Sequence, residues 1–232
     1  MDRKKLADEI AFFSDYVSEH KKKLFREKLE YRTRFFTVVL EDIFQSQNAS
    51  AVLRSCDGFG FQDVHVIENR NNFDIDKGVT TRSDKWLTIH RYNHQGKNNT
   101  EIAYNRLKQD GYRIVAVSPN QPNHTLPEFC PDKPVVLVFG AEKAGLSDIA
   151  VSNADDHLQI PMYGFIESFN ISVCAGICLY HLRNLIETDN HNLSWMMSYD
   201  QKKELYLQWL RNSVQQLKAL DLRFYETFNR SS

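Results

Sequence analysis

Apolar residues recur at three- and four-residue spacing at the start of the chain, at Leu6, Ile10, Phe13 and Val17, and this period predicts an amphipathic helix. The pattern then changes. Phe35 to Leu40 is a run of β-branched and aromatic residues, predicted as the first core strand. Asn48 is placed to cap a helix through Ala51, Val52, Leu53 and Cys56 that ends near Gly58 and Gly60. A second strand covers Val64 to Ile67. Asn69 to Lys85 is polar, contains Gly78 and reads as a long loop, a feature that is often functional in compact domains. Beyond it the pattern predicts a short strand from Trp86 to Ile89 and a helix over Ile102 to Leu107, stopped by Gly111. Another strand covers Tyr112 to Val117, and a loop runs from Ser118 to Pro134. Val135 to Phe139 is apolar without interruption, as expected of a strand buried on both faces. Gly140 to Gly145 follows, with a short helix from about Ser147 and a strand from His157 to Ile160. Ile171 to Leu185 is a strongly apolar helix. The chain turns polar at Glu187 to Asn192, and a last amphipathic helix carries Leu205, Trp209, Leu210, Val214 and Leu217.

Alternating strands and helices predict an α/β fold with a mostly parallel sheet, and the terminal helices read as additions to it. The expected division is a basic helical extension over 1–34, a core over 35–186 and a helical extension over 187–232. A hydrophobic fraction of 42% in 232 residues supplies a well-buried core. The formal net charge of −1 excludes a chain that binds nucleic acid through its overall charge, so only a local patch could do so. One such patch exists. His20 to Arg34 holds seven basic residues against the two acids Glu27 and Glu30. Such a run serves either as a solvated helix face or as a phosphate-contacting surface.

The four cysteines, Cys56, Cys130, Cys174 and Cys178, form no Cys-x-x-Cys pair and no zinc-like cluster, so no metal is expected. Cys174 and Cys178 read as two buried thiols on one helix face. No signal-type apolar stretch opens the chain, and no run of about 18 apolar residues is present. No membrane span is expected, and a reducing cytoplasmic setting fits.

Three segments are candidates for chemistry. Gly140-Ala-Glu-Lys-Ala-Gly145 has P-loop-like glycine spacing after a buried strand, but Leu146 and Ser147 follow where a phosphate-binding Lys and a Ser or Thr belong. A dinucleotide fingerprint is absent after every predicted strand, which sets aside a nicotinamide oxidoreductase. The glycine loop serves either as a plain strand-to-helix turn or as a place where backbone approaches an adenine or ribose closely. Asn48 and Arg54 lie on one predicted helix, with Val52, Cys56 and Phe59 on a different face from Arg54. A lone helix arginine is usually a surface or ion-pair residue. Ile160-Pro161-Met162 leaves a strand for a loop with Gly164, and Ser168, Phe169 and Asn170 open the apolar helix, where Ser or Asn would also serve as a cap.

Together these residues resemble a known family. Asn48-Ala-Ser-Ala-Val-Leu-Arg54-Ser-Cys-Asp-Gly-Phe-Gly60, Leu137-Val-Phe-Gly140-Ala-Glu142-Lys-Ala-Gly145-Leu-Ser147 and Ile160-Pro-Met-Tyr-Gly164-Phe-Ile-Glu-Ser168-Phe-Asn170-Ile-Ser-Val are similar, in order and separation, to the motifs of SPOUT-superfamily RNA 2′-O-ribose methyltransferases. The resemblance covers about Phe35 to Leu185. The branch containing the tRNA guanosine-18 2′-O-methyltransferases is suggested by Thr80-Thr-Arg-Ser-Asp-Lys85-Trp86, although Arg82 and Ser83 stand where small residues are usual. Short helical ends, with no separate N-terminal substrate-binding domain, also suit that branch.

The resemblance implies a trefoil knot near the C-terminal end of the sheet, a homodimer, and S-adenosylmethionine bound in the knot by Val117, Gly140, Ile160, Met162 and Phe169. It implies Arg54 as the central catalytic residue, with Asn48, Glu142, Ser168 and Asn170 around it. Arginine stays protonated in proteins, so a pairing of Arg54 with the phosphate beside the target ribose is the milder reading of its role. Lys21, Lys22, Lys23, Arg26, Arg32, Arg34, Arg82, Lys85 and Arg91 are the candidate RNA contacts. The expected activity is 2′-O-methylation of tRNA at guanosine 18. A ribosomal-RNA target is the rival within that chemistry, and a catalytically inactive RNA-binding protein of the same fold is the rival outside it.

Overall fold

The computed structural model describes residues 3–119, 122–188 and 195–229. These residues form two packed units, one spanning Thr33–Trp195 and one built from the two chain ends, up to Arg32 and from Met196 on.

The larger unit is a seven-stranded sheet in which every pairing is parallel. Its elements in chain order are β1 (Phe36–Glu41), β2 (Asp63–Ile67), β3 (Thr88–Tyr92), β4 (Arg113–Val117), β5 (His124–Thr125), β6 (Val135–Phe139) and β7 (Asp156–Gln159), placed in the order β3-β2-β1-β6-β4-β7-β5. The two most continuous hydrophobic runs, β1 and β6, lie side by side near the middle with Leu40 opposite Phe139. Parallel strands covered on both faces need such runs. The smaller unit opens the chain with α1 (Arg3–Ser14) and α2 (Glu19–Leu29). The sheet is crossed by α3 (Ser46–Phe59), α4 (Lys77–Thr80), α5 (Asn99–Gln109), α6 (Asp148–Ser152) and α7 (Ile171–Thr188), and α8 (Tyr199–Ser213) and α9 (Leu217–Asn229) close the chain.

Helices α3 and α7 cover one face, burying Val52, Leu53, Cys56, Ala175, Cys178 and Leu182 against Val38, Leu40, Val64 and Leu137. Helices α5 and α6 cover the other through Ala103, Tyr104, Leu107 and Ala150 against Val39, Ile114, Val136 and Val138. Fully burying a leucine or valine contributes about 1.5–3 kcal/mol, so each face is a substantial core. In the smaller unit α1 and α2 pack on α8. Trp209 is buried there, and the Arg32 guanidinium lies 5.2 Å from its ring centre. A capping box between Ser198 and Gln201 starts α8.

Several predicted boundaries shift for identifiable reasons. Helix α3 begins at Ser46 with Gln45 at the cap, so Asn48 lies inside its first turn and is not the cap. The polar stretch Asn69–Lys85 folds α4 and a 3-10 turn at Ser83–Lys85, because Asp76 Oδ1 accepts from the backbone N–H groups of Gly78 and Val79. Trp86 ends that turn, and the following strand runs Thr88–Tyr92. The expected loop after Ser118 contains β5 and a 3-10 turn at Leu126–Glu128, while its residues 120 and 121 lie outside the described residues. The last amphipathic helix breaks in two after Ser213, where Gln216 takes a left-handed φ of 54°. Of the polar turn expected at Glu187–Asn192, Glu187 and Thr188 finish α7, and 189–192 lie outside the described residues.

Candidate functional site

In a parallel sheet the loops leaving the carboxyl ends of the strands are free to build a site. Here the loops after β4, β6 and β7 line one cavity of about 690 Å³. Val117, Ser118 and Pro119 come from the first, Phe139 to Leu146 from the second, and Ile160, Met162 and Glu167 to Asn170 from the third.

The β6 loop is tightly closed. Ala141 and Gly145 exchange two backbone hydrogen bonds, of 3.1 and 2.8 Å, and Gly145 holds a φ of +67° that favours glycine. Gly140 lies hard against that turn. A Cβ there would sit 2.3 Å from the Gly145 carbonyl carbon and 2.4 Å from its oxygen. The second glycine therefore has a packing reason that a plain turn would not require.

The three sequence segments meet through side-chain amides. Asn48 Nδ2 donates to Glu142 Oε1 at 2.7 Å and to Gln45 Oε1 at 2.9 Å. Asn170 Nδ2 donates to Asn48 Oδ1 at 3.2 Å, and Asn170 Oδ1 accepts from the backbone N–H and hydroxyl of Ser172. Asn48 is thus drawn away from capping by two carbonyl-type acceptors, one of them 94 residues away in sequence. Asn170 is the residue that caps its helix, as its carbonyl also accepts from Cys174 N.

Arg54 is exposed one and two-thirds turns beyond Asn48, about 9 Å along the axis of α3. Its guanidinium forms no hydrogen bond or ion pair among the described residues. Ser168 is exposed on the cavity wall and likewise has no partner among them. Val117, Gly140, Ile160, Met162 and Phe169, the five residues expected around a cofactor, all line the cavity. His157, Gln159 and Cys174 also line it and were not anticipated. Gln159 could have been found from its place at the carboxyl end of β7, directly before the candidate Ile160. A hydrogen bond from the Cys178 thiol holds Cys174 below the ordinary thiol range, and that bond together with burial pushes Cys178 up.

The candidate RNA contacts divide. In the helical unit Lys21 and Lys23 are exposed, Lys22 pairs with Glu19 at 2.5 Å, and Arg26 lies over the Tyr206 ring. Arg32 is buried against Trp209, so its expected place as a phosphate contact is corrected to a packing role. In the sheet unit Arg34 pairs with Asp63 at 2.8 Å, and Arg91 grips Glu68 through two bonds of 2.9 and 2.7 Å. Both guanidiniums are already engaged by internal carboxylates. Arg82 and Lys85 remain exposed. Among the described residues no group of His, Cys, Asp and Glu could hold a metal ion, and no helix is long and apolar enough to cross a membrane.

The sequence profile of the SpoU rRNA methylase family matches residues 36–180, a span that contains all three cavity loops. The chain belongs to the SpoU rRNA methylase family. Over 91% of this SpoU member, and 94% of the relative, it is 36% identical to the tRNA (guanosine(18)-2′-O)-methyltransferase of Borreliella burgdorferi. The crystal structure of the A. aeolicus TrmH/SpoU tRNA modifying enzyme superposes with a TM-score of 0.75 at 29% identity, covering 85% of this chain and 98% of that one. The SpoU methyltransferase AviRb of Streptomyces viridochromogenes, solved in complex with AdoMet, shares the fold at 22% identity and a TM-score of 0.59, covering 70% of this chain and 65% of that one.

Proposed function

We propose that this chain methylates the ribose 2′-oxygen of guanosine 18 in tRNA, with S-adenosylmethionine as the methyl donor. The observation that carries the proposal is the Asn48–Glu142–Asn170 network, which ties the Arg54 helix to two of the loops lining the cavity. The near full-length similarity to a tRNA guanosine-18 enzyme supplies the substrate.

The cavity fits the cofactor. Val117, Ile160, Met162 and Phe169 offer apolar wall, and Gly140 lets the loop close tightly on Gly145 and Leu146, which keeps the backbone edge of the cavity in place. S-adenosylmethionine supplies a methyl group already activated on a positively charged sulfur. The protein's share is to exclude water and align the acceptor, and good alignment contributes about 7–11 kcal/mol in the best intramolecular cases. Arg54, which has no partner among the described residues, grips the phosphate beside the target ribose and orients its hydroxyl. Asn48, Glu142 and Asn170 fix the helix and the loops relative to one another, and Ser168 on the cavity wall faces substrate. Lys21, Lys23, Arg26, Arg82 and Lys85 supply sequence-independent phosphate contacts.

Two further features belong to this reading. The knot that the SPOUT motifs imply falls at this end of the sheet, where the loops after β4, β6 and β7 line the cavity. Tyr163, Phe165, Ile166, Val173 and Tyr180 expose apolar surface along the third loop and α7, which a second copy of the chain would cover. Light scattering should give twice the monomer mass. Incubating the protein with unmodified total RNA and labelled S-adenosylmethionine, then mapping the modified ribose, tests the activity. Label at guanosine 18 of tRNA is expected, and label in ribosomal RNA alone would overturn the target.

A further inference from the structure

Glu41 closes β1 and is almost fully buried, at 1% exposure. A buried carboxylate is costly unless its oxygens are matched by donors. Here both are. Oε1 accepts from the hydroxyls of Thr100 at 2.5 Å and Ser147 at 2.8 Å, and Oε2 accepts from the backbone N–H of Ser147 at 2.9 Å. No basic side chain pairs with it in an ion pair among the described residues, so neutral donors alone balance the charge.

The position of Ser147 gives the arrangement its meaning. It is the residue that ends the Gly140–Leu146 segment, and its own Oγ accepts from Ala150 N as the cap of α6. The entry of that segment is set by the sheet, because Leu40 pairs with Phe139, one residue before Gly140 and one before Glu41. The Glu41 side chain therefore holds the exit of the cavity loop beside the strand end that fixes its entry. Thr100 extends the brace outward. Its Oγ1 accepts from Asn69 Nδ2, and Asn69 in turn accepts from Asn99 N and donates its backbone N–H to Asp42 Oδ1. Asp42 holds a left-handed φ of 54° and accepts from three successive backbone N–H groups, those of Asn69, Arg70 and Asn71. The hydrogen-bonded chain runs without a gap from the start of α6 across the end of β1 to the segments that follow β2 and β3.

We propose that Glu41 is a positioning residue for the cofactor loop: its carboxylate, through Ser147, holds Gly140–Leu146 in the closed form that receives S-adenosylmethionine. This inference rests on the reading of the cavity as the cofactor site. Gln at 41 keeps the shape but offers one acceptor oxygen and places an amide N–H₂ against a donor, so one end of the brace must open.

Titration calorimetry with S-adenosylmethionine, alongside thermal melts and steady-state kinetics, tests the idea on the full chain. Glu41→Gln and Ser147→Ala should each raise the cofactor Kd and KM by about tenfold while kcat at saturating cofactor stays within about threefold. The double variant should be no worse than the weaker-binding single one, because both remove the same link. Unchanged cofactor affinity in Glu41→Gln, or losses that simply multiply in the double variant, would overturn the inference. So would a Glu41→Gln protein without a cooperative melt, since the carboxylate would then serve the fold and not the loop. Failure of the unaltered protein to bind S-adenosylmethionine would be a different result, and it would remove the cofactor reading itself.

Discussion

Replacing Gly140 by alanine adds a single methyl group at the point where the cavity loop turns back on itself. The added Cβ would stand 2.3 Å from the Gly145 carbonyl carbon and 2.4 Å from both its oxygen and Leu146 N. Favourable carbon contacts begin at about 3.5 Å, so the two sides must part by about 1 Å. Neither side yields freely. Gly145 is bonded in both directions to Ala141, and Gly140 continues a strand paired on both sides. Overpacking of this kind costs about 1–3 kcal/mol. Backbone on both sides of the contact argues for the upper half of that range. At about 1.4 kcal/mol per decade, the loss in cofactor affinity should be about 30- to 140-fold if the loop opens to relieve the strain. Titration calorimetry with S-adenosylmethionine measures it, with Gly164→Ala as control, where an added Cβ meets nothing within 4 Å. Wild-type affinity in Gly140→Ala would refute the reasoning.

Other expectations follow from the same geometry. Arg54→Lys should lower turnover at least about 100-fold while cofactor affinity stays within about twofold, because a lysine cannot reproduce a bidentate phosphate grip; near-normal single-turnover rates would dismiss that role. Leu53 is fully buried under α7, so Leu53→Ala should cost about 2–5 kcal/mol in urea unfolding, and a loss under 1 kcal/mol would contradict the packing. His65 is held down to about 3, chiefly by burial and further by the stacked His90, against the opposing pull of Asp63. The unfolded chain takes up this proton near pH 6.5 and the folded chain only near pH 3, so stability is full above pH 6.5 and falls as pH drops. The loss from this group should be about 1.4 kcal/mol at pH 5.5, and His65→Phe should flatten the profile between pH 6.5 and 4.5. An equally steep decline in that variant would assign the acid sensitivity to another group.

The sheet was legible wherever one period ruled a segment. Val135–Phe139 has the same ends in sequence and structure because a strand buried on both faces contains no polar residue to blur them. Boundaries slipped where a polar side chain had two uses. Asn48 looks like a cap, and its residue type allows that role, but Gln45 and Glu142 claim its amide. The second of these comes from far along the chain, and no local pattern encodes it. Charge is read incompletely for a similar reason. Arg32, Arg34 and Arg91 stand in the sequence as cations, while their internal partners Trp209, Asp63 and Glu68 are brought to them by tertiary packing. Glu41 drew no notice because a single acid at a strand end carries no motif; only the fold brings Ser147 to it. The cavity residues were legible through resemblance, and the reason Gly140 must be glycine became visible only with Gly145 folded against it.

The central claim is that the ribose 2′-hydroxyl of guanosine 18 is the methyl acceptor. The most direct test compares two unmodified tRNA transcripts that differ in one atom, one with guanosine and one with 2′-deoxyguanosine at position 18, each incubated with this protein and labelled S-adenosylmethionine. The account predicts one methyl group per molecule on the first and none on the second. Equal labelling of the two transcripts would contradict it.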